Sequence, residues 1–191
     1  AYAIQLTKHA CEVGCDAMLL VTPYYNKATQ RGLIESFTAI ADASTKPCIL
    51  YNVPSRTGCN LLPQSVAVLA KHPNIVAIKE ASGNFSQIAE LISLTNGEID
   101  VYSGNDDQIV PLLSLGGKGV ISVLSNVAPK ETHDMVAAYL EGNTKEDIRI
   151  RKKDIIDSWE WCYIDFSEKK IYFSYESYRA KHGGSEIIKI N

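Results

Sequence analysis

Five short apolar runs recur along the chain, each followed by a segment of helical periodicity. The runs are "AMLLVT" (17–22), "PCILYNV" (47–53), "IVAIKEA" (75–81), "IDVYSG" (99–104) and "GVISVLS" (119–125). None alternates strictly between apolar and polar residues, which is how strands covered on both faces read. Between them, "GLIESFTAIADAS" (32–44) sets Leu33, Phe37, Ile40 and Ala41 on one helical stripe. Segments 62–72, 84–94 and 107–117 repeat the pattern, and 129–143 follows the last run. Alternating β and α segments at this spacing predict βαβ units and a parallel sheet. Such a sheet is either doubly wound and open or closed into a (β/α)8 barrel. No GxGxxG follows any strand, and the Gly-rich "LGGKG" (115–119) precedes one. Phosphates bind at the other end of strands, so this stretch reads as a helix C-cap and tight turn. The barrel is the expected architecture.

Composition narrows the function classes. The 191 residues carry a formal net charge of −3. That is no electrostatic footprint for nucleic acid or an anionic membrane. No apolar run approaches the roughly 18–20 residues that span a bilayer. Five cysteines without a CxxC pair suit a reducing compartment, which predicts a cytoplasmic protein. Cys11 and Cys15 share a helix face and read as small buried side chains rather than a metal pair. The chain starts without Met or signal-peptide architecture, inside a helical pattern, as if entering the middle of a fold.

Polar residues gather at the C-terminal ends of the runs. "TPYYNK" (22–27) brings Tyr24 and Tyr25, "YNVPSRTG" (51–58) brings Tyr51 and Arg56, and the third run ends at Lys79. In a barrel these ends line one mouth, where barrel enzymes keep their chemistry. Any one of them alone is an ordinary polar strand end. As a set they suit carbonyl chemistry: a desolvated lysine amine attacks a ketone and forms a Schiff base. A phenol shuttles protons, and a guanidinium forks onto a carboxylate. The combination suggests a carbon–carbon lyase acting on a keto acid. The acidic "NDD" (105–107) reads as a helix start rather than a metal site.

"VTPYYNK", "ILYNVPSRTG", "IKEASGN" and "GGKGVISV", in this order, closely resemble the dihydrodipicolinate synthase (4-hydroxy-tetrahydrodipicolinate synthase) family. That family belongs to the pyruvate-dependent, N-acetylneuraminate-lyase-like aldolases. The resemblance covers residues 1–146 and implies a (β/α)8 TIM barrel, represented here by about strands 4 to 8. It implies a Schiff base between Lys79 and pyruvate, with no other cofactor and no metal. Tyr51 would relay protons, and Tyr25 would join the relay across a dimer interface. Arg56 would hold the carboxylate of L-aspartate 4-semialdehyde, and Gly104 and Ile121 would line the pyruvate pocket. Tyr24 matches a region where many members bind lysine as a feedback inhibitor. The implied product is 4-hydroxy-tetrahydrodipicolinate, on the route to diaminopimelate and lysine. A homo-oligomer, dimer or dimer of dimers, is implied as well. Arg56 within "PSRTG" favours the synthase over N-acetylneuraminate lyase.

Two features depart from the family pattern. The family's first three strands, with a Gly-Thr-Thr segment linking the relay tyrosines, have no counterpart here. After Asp147 there is no Leu or Val, and eight of the sixteen aromatics fall there. The family's Asn-Pro-x-Pro segment is absent too, so residues 147–191 read as an atypical tail of weak or irregular structure. Another pyruvate-dependent aldolase, or a truncated and inactive homologue, are the alternative readings.

Overall fold

The computed structural model describes residues 1–143 and three strand segments, Cys162–Asp165, Lys170–Phe173 and Ile188–Lys189. Two compact units meet in sequence at Ala128 and Pro129. In the first, α1 (Tyr2–Glu12), β1 (Met18–Val21), α2 (Gln30–Asp42), β2 (Cys48–Asn52), α3 (Pro54–Thr57) and α4 (Pro63–Leu69) come first. Then follow β3 (Ile75–Glu80), α5 (Phe85–Thr95), β4 (Asp100–Ser103), α6 (Ile109–Ser114) and β5 (Gly119–Val120).

Local chemistry sets the boundaries. The Thr29 hydroxyl accepts the Gly32 amide at 3.3 Å and starts α2. The Asn84 side chain does the same for Gln87 at 3.1 Å and starts α5, which ends on Asn96 in the left-handed region. Pro54 and Pro63 occupy first turns, where a missing amide is harmless. "LGGKG" ends α6 as expected: Gly117 N–H donates to the Leu112 carbonyl at 3.1 Å and Gly116 N–H to Leu113 at 3.0 Å. This is a Schellman closure, with Gly116 at φ +105°.

The five strands pair in chain order, all parallel. A doubly wound sheet would reverse that order part-way; barrel strands never do. The core lies on one face, where Leu50, Ile78 and Val101 of the strands meet Phe37, Leu69, Leu91 and Leu112 of the helices.

Several expectations need correction. Coverage of both faces holds poorly for β1, whose Leu19 and Val21 are exposed on the face opposite the core. The predicted strand 119–125 stops at Val120 and gives way to a 3-10 turn at Leu124–Asn126. The Asp106 carboxylate accepts the amides of Val123 at 3.2 Å and Leu124 at 3.0 Å, and also the Ser122 hydroxyl. These donors are taken by a side chain rather than by a neighbouring strand. Cys11 and Cys15 do not share a buried helix face: α1 ends at Glu12, Cys15 is exposed and Cys11 only partly buried, whereas Cys48 and Cys59 are buried.

In the second unit, α7 (Pro129–Leu140) carries a Lys130–Asp134 pair one turn apart. Strands β6 (Cys162–Asp165), β7 (Lys170–Phe173) and β8 (Ile188–Lys189) form an antiparallel sheet. Irregular structure was expected across 147–191; these segments are regular, and "CYID" and "KIYF" are rich in β-formers. The rest of that stretch lies outside the described residues. No helix among the described residues is long and apolar enough to cross a membrane.

Candidate active site

The pairing registers put Val21, Tyr51, Lys79, Tyr102 and Gly119 on a single rung across all five strands. Paired residues in a sheet point to the same face. Lys79 is therefore flanked by a phenol on each side, on the face away from the helices. Its Nζ stands 4.5 Å from the centre of the Tyr51 ring. That is cation–π range for the ammonium.

Burial pushes the Lys79 amine below its ordinary value, and the Asp106 carboxylate pulls in the opposite direction. Asp106 lies just past β4 and bonds the segment just past β5, so one carboxylate touches both the rim and the charge of the amine. The lysine stem is confined from the same side. A Cβ on Gly104 would lie 3.1 Å from Lys79 Cε and 2.7 Å from the Ala81 methyl. Real Cβ contacts are wider, so glycine is required there. Gly119 is under no such constraint: an added Cβ would meet the Tyr102 ring at 3.5 Å, an ordinary contact.

Directly behind this rung is a polar one of opposite orientation. Asn52 pairs with Glu80 in the β2–β3 ladder, and both are buried among helices and loops. Asn52 Nδ2 donates to Glu80 Oε2 at 3.1 Å, and the Ser82 amide donates to Oε1 at 2.7 Å. Burial raises the Glu80 carboxyl above its ordinary value despite these donors.

The structure thus brings together Lys79, Tyr51 and Gly104. Ile121 lies just past β5, its amide bonded to the Ser103 carbonyl at 2.9 Å. Arg56 is exposed on α3, at the same end of β2 as Tyr51. Tyr24 and Tyr25 sit in the loop after β1, 71% and 90% exposed, and no hydrogen bond joins either to Tyr51 or Lys79. Sequence reasoning passed over Tyr102, Asp106 and the Asn52–Glu80 pair. Alternation along "YNV" and "KEA" carried the signal for that pair: if Tyr51 and Lys79 face a cleft, their polar successors face the interior.

A profile of the dihydrodipicolinate synthetase family matches residues 1–160. The chain belongs to this family. The dihydrodipicolinate synthetase match runs past residue 146 and through α7. A 4-hydroxy-tetrahydrodipicolinate synthase of Lachnoclostridium phytofermentans is 61% identical over 150 residues, 78% of this chain and 51% of the relative. Among solved structures, the chloride-inhibited dihydrodipicolinate synthase of Acinetobacter baumannii complexed with pyruvate superposes with a TM-score of 0.75. Identity there is 45%, over 78% of this chain and 52% of that one. The Cyanidioschyzon merolae enzyme with lysine bound gives 0.77 at 43% identity, over 80% and 52% of the two chains. This chain spans about half the length of the curated relatives it matches.

Proposed function

We propose that this chain carries the Schiff-base half of a 4-hydroxy-tetrahydrodipicolinate synthase, a lyase condensing pyruvate with L-aspartate 4-semialdehyde. The carrying observation is Lys79 Nζ, half-buried and 4.5 Å from the Tyr51 ring centre. Neutral amine at Lys79 adds to the keto carbon of pyruvate, giving a carbinolamine that loses water to an iminium. Each step moves a proton at oxygen or nitrogen, and the Tyr51 hydroxyl is the group on the same rung suited to carry it. The iminium acidifies the pyruvate methyl; loss of one methyl proton gives an enamine, whose carbon adds to the aldehyde carbon while the aldehyde oxygen takes up a proton. The Acinetobacter enzyme's complex with pyruvate supports this choice of substrate.

The remaining roles follow the family match. Arg56, on an exposed turn at the same strand end, binds the carboxylate of the semialdehyde. Gly104 and Ile121 line the pyruvate pocket. Tyr25, exposed in the loop after β1, joins the relay of a neighbouring subunit in a cytoplasmic homo-oligomer, dimer or dimer of dimers. Tyr24 beside it serves a lysine effector site, and the lysine-bound Cyanidioschyzon enzyme supports that reading. Residues 1–146 form the catalytic part, and 147–191 a separate tail.

Incubation with pyruvate and borohydride tests the proposal. Reduced adduct on Lys79, located by peptide mass spectrometry and absent in Lys79→Arg, is expected. An unlabelled Lys79 in a chain with native circular dichroism overturns it. Turnover of aspartate semialdehyde against sugar-derived keto acids separates the synthase from N-acetylneuraminate lyase and its relatives.

A further inference from the structure

The β2–β3 ladder does not keep one register. Cys48 pairs with Ile75 but Ile49 with Ala77, so the strands slip by a residue at the bottom of the sheet. Above the slip, Ile49 to Asn52 pair with Ala77 to Glu80 in one continuous register that sets Tyr51 opposite Lys79. A one-residue slip moves every side chain of a strand to the other face. Here it would send Lys79 into the helix-packed core and Glu80 into the cleft.

We propose that Asn52 and Glu80 form a buried clamp that fixes the pairing above the slip and so holds Lys79 against Tyr51. They are positioning residues, and only the catalytic consequence of the clamp rests on the Schiff-base reading. The two pairs occupy adjacent rungs, Tyr51 with Lys79 in front and Asn52 with Glu80 behind. Asn52 is fully buried and Glu80 is 1% exposed. The amide reaches the carboxylate at 3.1 and 3.3 Å, and its own carbonyl accepts the Leu61 amide at 2.9 Å. It also donates to Asn60 Oδ1 at 2.9 Å, and Asn60 exchanges two hydrogen bonds with Gln87 of α5, at 2.7 and 3.2 Å. The carboxylate is thereby tied to β2, to the Ser82 turn and, through Asn60, to a helix.

No ion pair among the described residues includes Glu80. A buried carboxyl in that situation is a poor source of stability, and an apolar pair of similar volume would pack as well. An apolar pair would resist a slip only through lost burial, whereas the slipped hydrogen-bonded pair also loses its directional partners. The polar pair therefore specifies geometry rather than adding stability.

Ring-current shifts read the clamp directly. In the full chain labelled with 13C-lysine, the Lys79 ε-methylene protons lie near the Tyr51 ring and resonate upfield of the other lysines, an assignment made with Lys79→Arg. Glu80→Gln keeps the acceptor for Ser82 and is expected to retain most of the shift. Glu80→Leu, and the double variant Asn52→Leu/Glu80→Leu, are expected to lose it. Pyruvate trapping at Lys79 in those variants should slow by about 10²-fold, the effect of misplacing a reacting group by about 1 Å. If the leucine variants fail to fold, Asn52→Ser, which removes the amide donors, should show the same loss. A folded leucine or serine variant that keeps the upfield resonance overturns the clamp. Wild-type protein with the resonance but no trapping overturns the Schiff-base reading and leaves the clamp standing.

Discussion

Lys79 and Tyr51 sit on one rung of the β2–β3 ladder, with the lysine nitrogen 4.5 Å from the centre of the phenol ring. Adjacent strands in a parallel sheet are only about 4.8 Å apart, so neighbours on one rung are forced together. Register sets the two side chains next to each other on one face of the sheet. The ring face favours the ammonium, whereas burial favours the amine and outweighs the opposing Asp106 carboxylate.

The first prediction concerns that titration. Lys79 should lose its proton below the ordinary lysine value of 10.5, so an amine-directed acylating reagent should reach it early in a pH series. Asp106 stabilises the ammonium, so Asp106→Asn should move the midpoint further down. Peptide-level labelling across pH measures both, and an upward move in the variant contradicts the assignment.

Gly104→Ala should disable Lys79 without touching it. The new methyl would lie 2.7 Å from Ala81 Cβ and 3.1 Å from Lys79 Cε, so the lysine stem must shift. Overpacking of this kind costs about 1–3 kcal/mol. Denaturant melts measure the cost, and borohydride trapping should fall far more than the folded fraction does.

At the end of α6 two neighbouring glycines should respond for different reasons. A Cβ on Gly117 would fall 2.0 Å from Leu112 Cδ2 and 3.0 Å from the Leu112 carbonyl, so Gly117→Ala should cost about 1–3 kcal/mol by collision. A Cβ on Gly116 would meet only Ile92 Cγ2, at 4.0 Å, but the residue sits at φ +105°, and Gly116→Ala should cost about 1–2 kcal/mol by backbone strain. Trimming Leu112 to Ala should relieve the side-chain part of the first collision and leave the second variant unchanged in a double-mutant cycle.

Glu80 should leave a signature in the pH dependence of stability. Burial raises its carboxyl above the ordinary 4.5, so the folded chain holds this proton more tightly than the unfolded chain. Its contribution is fully present below about pH 4.5 and is lost as pH rises through the folded value. Glu80→Gln should flatten that decline. Urea midpoints measured from below pH 4.5 to neutrality test this, and an unchanged slope would refute it.

Much of the fold is legible in the chain because its signals are local. Apolar runs, a threonine and an asparagine that cap helices, and a Gly-Gly stop each act within a few residues of themselves. β5 was misjudged because the donors past it are taken by Asp106, reaching from beyond β4 to amides far along the chain. The candidate site divides in the same way. Lys79 and Tyr51 stand out as polar residues ending apolar runs. Tyr102 hides as an ordinary strand aromatic, and Glu80 hides behind the lysine it follows. Which of two consecutive charges enters the cleft depends on register, and register is a property of two strands rather than one.

The Asp106 carboxylate joins the rim segment following β4 to the one following β5 through Ser122, Val123 and Leu124. Those two stretches cannot move independently while the three bonds hold. Neutralising that single acid would therefore loosen the neighbourhood of Ile121 and strip the lysine of its nearby counter-charge in one event, so shape and charge at this edge of the cleft are inherited together.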